Sequence, residues 1–101
     1  MSISRLSLAA LLLMPFTAQA QDNTAVPKQA SGCVSCHSAD GNPLVAGVPI
    51  LSGQRADYLE AALKAYREGR RTGGPADVMG FYTKELSDED IKEISEWFAQ
   101  N

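Results

Sequence analysis

Histidine and cysteine are scarce in this 101-residue chain, which has one histidine and two cysteines. Two cysteines cannot build the multi-disulfide framework that staples small exported domains. One histidine and two cysteines also fall short of the four ligands a closed structural zinc site takes from such residues. An excess of positive charge is missing as well. Nine Lys and Arg stand against twelve Asp and Glu, for a formal net charge of −3, which argues against nucleic acid or an anionic membrane as partner. The chain has no internal repeat or low-complexity segment, and no apolar run approaches the roughly 20 residues needed to span a bilayer.

The one sustained apolar run, Leu6 to Phe16, follows Arg5 and precedes Ala18-Gln19-Ala20. A basic start, a short apolar stretch and an A-x-A site are the parts of a Sec-type signal peptide. Residues 1–20 are therefore expected to be cleaved, leaving residues 21–101 as one small domain in the periplasm of a Gram-negative bacterium. No cysteine follows the cleavage point, so neither a lipid nor a membrane anchor is expected to remain. Losing Arg5 leaves eight basic side chains against twelve acidic ones, a net charge of −4.

The scarce residues are all in one place, "CVSCHSADG" at 33–41, with Cys33, Cys36 and His37 within five positions. In an oxidising compartment a bare C-x-x-C is ambiguous. A thioredoxin-like reading wants a β-rich strand before the motif, and no alternating run precedes Cys33. Zinc would need a further Cys or His, and none exists. The remaining reading is C-x-x-C-H, the attachment signature of heme c. Residues three and four apart share one face of a helical turn. Both sulfurs can then reach the two vinyl groups of one heme, with His37 beside them to ligate the iron.

A heme iron held by histidine has a sixth position whose occupant decides the chemistry: a thioether raises the potential, and an open position admits small ligands. Met1 and Met14 fall within the expected signal peptide, leaving Met79 as the candidate. It lies in "RTGGPADVMG", residues 71–80, where glycines and a proline predict an irregular loop. The competing role for Met79 is to fill a gap in the core.

Two segments have helical periodicity. From Ala56 to Gly69, Tyr58, Leu59, Ala62, Leu63 and Tyr66 form one stripe, with Gly69 as the stop. Ser87-Asp88-Glu89-Asp90 is a capping-box start with three acids at the positive end of the helix dipole. Ile91, Ile94, Trp97 and Phe98 supply that helix with an apolar face. Tyr58, Tyr66, Trp97 and Phe98 are candidates either for the wall of a heme site or for packing between helices. The segment from residue 21 to Cys33 is too short for a full N-terminal helix, so a short one is expected from Pro27, a good first helical residue. Lys64, Arg67, Arg70 and Arg71 cluster late in the first long helix and read as a solvated face or an acidic partner's docking patch. Glu60 sits four residues before Lys64 as an ordinary surface pair.

"CVSCHSADG", "GVPILSGQRADYLEAALKAYREGRR", "VMG" and "ELSDEDIKEISEWFA" together resemble a class I c-type cytochrome over residues 31–100, nearly all of the expected mature chain. Within that class, "LSGQRADYLEAALKAYREG" and "DVMG" are similar to the small periplasmic cytochromes of the high-potential diheme group and to the cytochrome subunit of flavocytochrome c sulfide dehydrogenase. The resemblance implies an all-α class I cytochrome c fold, with three to four short helices and loops around one covalent heme. It also implies His37 as the proximal ligand and Met79 as the distal ligand. Pro49, in "GVPIL", matches the proline whose carbonyl accepts from the proximal histidine. Gln54 and Arg55 are weaker candidates for contacts to the heme propionates.

Three functions are weighed. The first is a periplasmic one-electron carrier, not an enzyme and without catalytic residues, that meets redox protein partners at its heme edge. The second is the electron-accepting heme subunit of a flavocytochrome complex, with a flavoprotein partner. The third is a heme sensor or peroxidase in which Met79 does not hold the iron.

Overall fold

The computed structural model describes residues 12–16 and 25–101. Apart from Leu12–Phe16, which are exposed and without regular structure, the expected signal peptide lies outside the described residues. A 3-10 turn, Lys28–Ala30, leads into α1 (Ser31–His37), α2 (Ala56–Arg67), α3 (Pro75–Thr83) and α4 (Asp88–Gln100). The fold is all-α, with no strand among the described residues.

The two periodic segments form the scaffold. α2 begins at Ala56 and buries Leu59 and Leu63, and its exposed side has the Glu60–Lys64 pair at 3.0 Å. It closes at Gly69, whose φ of 74° lets the chain turn away. α4 starts from a complete capping box: the Ser87 hydroxyl accepts from the Asp90 N–H, and the Asp90 carboxylate accepts from the Ser87 N–H, each at 3.0 Å. Ile91, Ile94 and Phe98 turn inward and join Ala30, Leu59 and Leu63 in the core. This core is small, and Leu44, Val45, Ile50, Val78 and Phe81 are left exposed.

One expectation is revised and one is met. Residues 71–80 are not a loop throughout, because Pro75 opens α3 at its first turn and Met79 sits inside that helix. Pro caps the first turn well, since its missing N–H would be unpaired there anyway. A short helical segment does run from Pro27 into the C-x-x-C-H motif: Pro27, with φ −54° and ψ 136°, caps the 3-10 turn Lys28–Ala30, which continues directly into α1. It is this turn, through Ala30, that meets α4.

Candidate cofactor site

α1 supplies the cluster of scarce residues. Cys33 is partly buried, Cys36 is exposed, and both are free thiols. Burial pushes the Cys33 thiol up from its ordinary pKa, partly offset by its backbone hydrogen bond. His37 is the last residue of the helix and is 7% exposed. A buried imidazole needs a hydrogen-bond partner, and His37 Nδ1 donates to the Pro49 carbonyl at 2.8 Å. With Nδ1 protonated, Nε2 is the nitrogen left for a metal, and the bond fixes the ring's orientation.

That carbonyl is held in place by a loop locked to the end of α4. Ser38 leaves α1 at φ 66°, and Gly41 follows at φ 74°, its carbonyl accepting from Leu51 and Ser52 N–H groups at 2.9 and 3.2 Å. A Cβ on Gly41 would stand 2.7 Å from Ser52 N, so the close approach requires glycine. α4 then clasps the loop at three points. Trp97 Nε1 donates to Ala39 O at 3.1 Å, Gly53 N donates to Phe98 O at 3.3 Å, and the Ser52 hydroxyl donates to Asn101 O.

α3 is fastened more lightly. Gly74, which precedes its first turn, offers no side-chain cap, and Thr83 is its one buried residue. Asp77 Oδ1 accepts from Gly73 N at 2.8 Å. At the other end Tyr82 leans on α1, close enough that a Cβ at Gly32 would lie 2.9 Å from its ring.

A cavity of about 440 Å³ lies between these elements, within the range of cofactor sites. It brings together Cys33, His37, Pro49 and Met79; Cys36 is not on its wall. The remaining wall is mostly apolar, with Leu51, Leu59, Leu63 and Phe98. Of the four aromatic candidates, Tyr58, Tyr66 and Phe98 line the cavity, and Trp97 packs beside the core instead. Gln54 lines it, but its amide donates to Ile50 O. Arg55 turns to Asp57, with a 2.6 Å ion pair at an exposed depression; that guanidinium holds the Asp57 carboxyl below its ordinary pKa.

The basic cluster is largely neutralised from within. Lys64 pairs with Glu60, Arg70 with Glu68 at 2.6 Å, and Arg67 with Asp88 at 2.8 Å. Arg71 differs: its guanidinium stacks 4.4 Å over the Tyr66 ring, and both residues line the cavity. The residues fit a heme in three respects: a thiol and a histidine with Nε2 left for a metal on one helix, a thioether on the wall, and a buried hydroxyl without a partner. That hydroxyl is Ser95 Oγ, on a residue 1% exposed that lines the cavity. Arg71 and Ser95 were not singled out by sequence as cavity residues; Ser95 falls on the apolar stripe of α4 next to Ile94, which is the signal that could have found it.

Comparison with known proteins adds a family and relatives. The sequence profile described as Cytochrome c matches residues 24–101. Cytochrome c-554(548) of Halomonas halodenitrificans is 48% identical over 67 residues, 66% of this chain and 81% of that protein. The cytochrome subunit of sulfide dehydrogenase from Chlorobaculum tepidum is 36% identical over 67 residues, 66% of this chain and 57% of the subunit. Among solved structures, reduced recombinant cytochrome c4 from Pseudomonas stutzeri superimposes with a TM-score of 0.61 at 36% identity, covering 66% of this chain and 36% of that one.

Proposed function

The chain belongs to the cytochrome c family, and from that membership we propose that it is a periplasmic one-electron carrier whose iron is held by His37 and Met79. The cofactor is heme c, bound through Cys33 and Cys36, and it supplies a one-electron iron couple. Residues 1–20 are the export signal and residues 21–101 the carrier.

The protein's own part is to hold and to tune. Pro49 O accepting from His37 Nδ1 orients the imidazole and makes it a stronger donor. A thioether from Met79 favours the ferrous state and raises the potential. The apolar wall keeps water from the iron, so little solvent must reorganise when an electron arrives. The observation that carries the reading is one cavity receiving the His37 and Met79 helices together. Electrons pass to and from redox protein partners, and no substrate is transformed at this chain.

A redox titration of the matured protein tests this reading. One reversible transition with a one-electron Nernst slope, shifted to lower potential in Met79→Ala, supports it. A wild-type ferrous form that binds carbon monoxide at once overturns it in favour of a sensor or peroxidase.

The likeness to the cytochrome subunit of sulfide dehydrogenase favours one second reading, in which a flavoprotein partner performs the chemistry and this chain takes its electrons. Purification from the native source separates the two: a flavin-containing partner that co-elutes stoichiometrically selects the subunit, and elution as the cytochrome alone selects the free carrier.

A further inference from the structure

Met79 is carried by a helix with a single buried residue, Thr83, so what holds that helix decides how firmly the thioether is presented. Thr83 is 1% exposed and one turn beyond Met79. Its hydroxyl donates to Met79 O at 2.9 Å and also approaches Gly80 O at 3.3 Å. Side-chain bonding to the carbonyl four residues back often bends a helix, and here it ties the buried Thr83 side chain to the carbonyl of the residue that carries the thioether.

The connection does not stop there. Thr83 O accepts from Leu86 N at 3.0 Å, and Leu86 O accepts from Arg67 Nη1 at 3.1 Å. Arg67 stands on α2 and pairs with Asp88 at the first turn of α4. A continuous run of bonds therefore leads from the backbone of Met79 to the two scaffold helices.

We propose that the Thr83–Leu86–Arg67 relay positions Met79, with Thr83 as the residue that fastens the thioether-bearing turn. The proposal rests on Met79 being the distal ligand. Removing the hydroxyl while keeping the volume, as in Thr83→Val, frees the Met79 carbonyl from its second donor and loosens the turn, and an added ligand then displaces the thioether more easily.

The test uses the matured, heme-loaded protein and imidazole as the probe. Ferric wild type, Thr83→Val and Thr83→Ser are titrated with imidazole, after recording the near-infrared sulfur-to-iron absorption of each without ligand. The expected result is the band in all three, an imidazole affinity raised about tenfold in Thr83→Val, as loss of one hydrogen bond allows, and a return toward wild type in Thr83→Ser. A structural role alone lowers the unfolding midpoint in denaturant without changing imidazole affinity. Should Thr83→Val not accumulate as holoprotein, Arg67→Gln is read the same way, with a raised affinity expected. Unchanged affinity in the variant read, or no rescue by serine, overturns the proposal alone. A wild type lacking the band overturns Met79 ligation and this proposal with it.

Discussion

The two sides of the cavity are built on different principles. On the His37 side a backbone carbonyl meets a buried imidazole, and the loop bearing it is clasped by α4 through Trp97, Phe98 and Asn101. On the Met79 side a short helix without a side-chain cap leaves Val78 and Phe81 exposed and buries only Thr83. The difference teaches how each of the two proposed ligands is held. The His37 loop is held by direct bonds to the C-terminal helix, whereas the Met79 helix reaches the two scaffold helices through Thr83, Leu86 and Arg67.

The largest effects come from breaking that asymmetry outright. His37→Ala removes the imidazole that the Pro49 loop is built around, and little holoprotein is expected in periplasmic extracts stained for covalent heme. Met79→Ala is expected to keep its covalent heme, because the sulfurs and the histidine stay in place. Equal loss of heme in both variants contradicts the comparison.

Next is removal of the cofactor itself. The core holds few side chains, and a domain this small gains little from burial. Apoprotein made by Cys33→Ala with Cys36→Ala is expected to lose most of its helical circular dichroism. Native-like helicity without heme refutes the dependence of the fold on its cofactor.

A finer probe is a pair of glycines with positive φ. Gly41→Ala is expected to destabilise by roughly 2–3 kcal/mol, because its Cβ would meet the Ser52 backbone. Gly73→Ala, with nothing within 4 Å of the added atom and φ 93°, is expected to cost about 1 kcal/mol from conformation alone. Denaturant unfolding followed in the heme Soret absorption gives both values, and equal losses erase the contrast between the two sides.

The smallest effect is with acid. Arg67 holds the Asp88 carboxyl below its ordinary pKa, first by hydrogen bonding and then by charge. The Ser87 backbone N–H does the same for Asp90. A carboxyl depressed on folding contributes stability that is complete above its unfolded pKa and is lost as pH falls through the lower folded one. Stability measured by denaturant is thus expected to decline below the ordinary carboxylate range, with a shallower decline in Asp90→Asn. An identical slope in that variant removes the capping box from the account.

What the sequence made legible follows from these same forces. α2 and α4 were readable because each repeats apolar residues at helical spacing and marks an end, with Gly69 closing one and Ser87 to Asp90 opening the other. α3 was hidden because Gly73, Gly74, Pro75 and Gly80 carry loop chemistry. Its one strong helix signal, Pro75 at the first position, is also a turn signal. The heme motif was legible because its three residues are all the cysteine and histidine the chain has. The partner of His37 was not, since a backbone carbonyl leaves no mark in the residues, and it came through the resemblance at Pro49. The choice between Trp97 and Phe98 as wall residues was also beyond a sequence that puts them side by side; the helix turns about 100° between them, and packing against Ala39 draws Trp97 away.

The central claim, that His37 and Met79 hold one iron between a fixed and a lightly fastened side, is tested most directly by the near-infrared spectrum of the ferric protein. The account predicts a weak sulfur-to-iron charge-transfer band in wild type that disappears in Met79→Ala while the covalent heme remains. A wild-type spectrum without that band, or a band that survives the substitution, contradicts it.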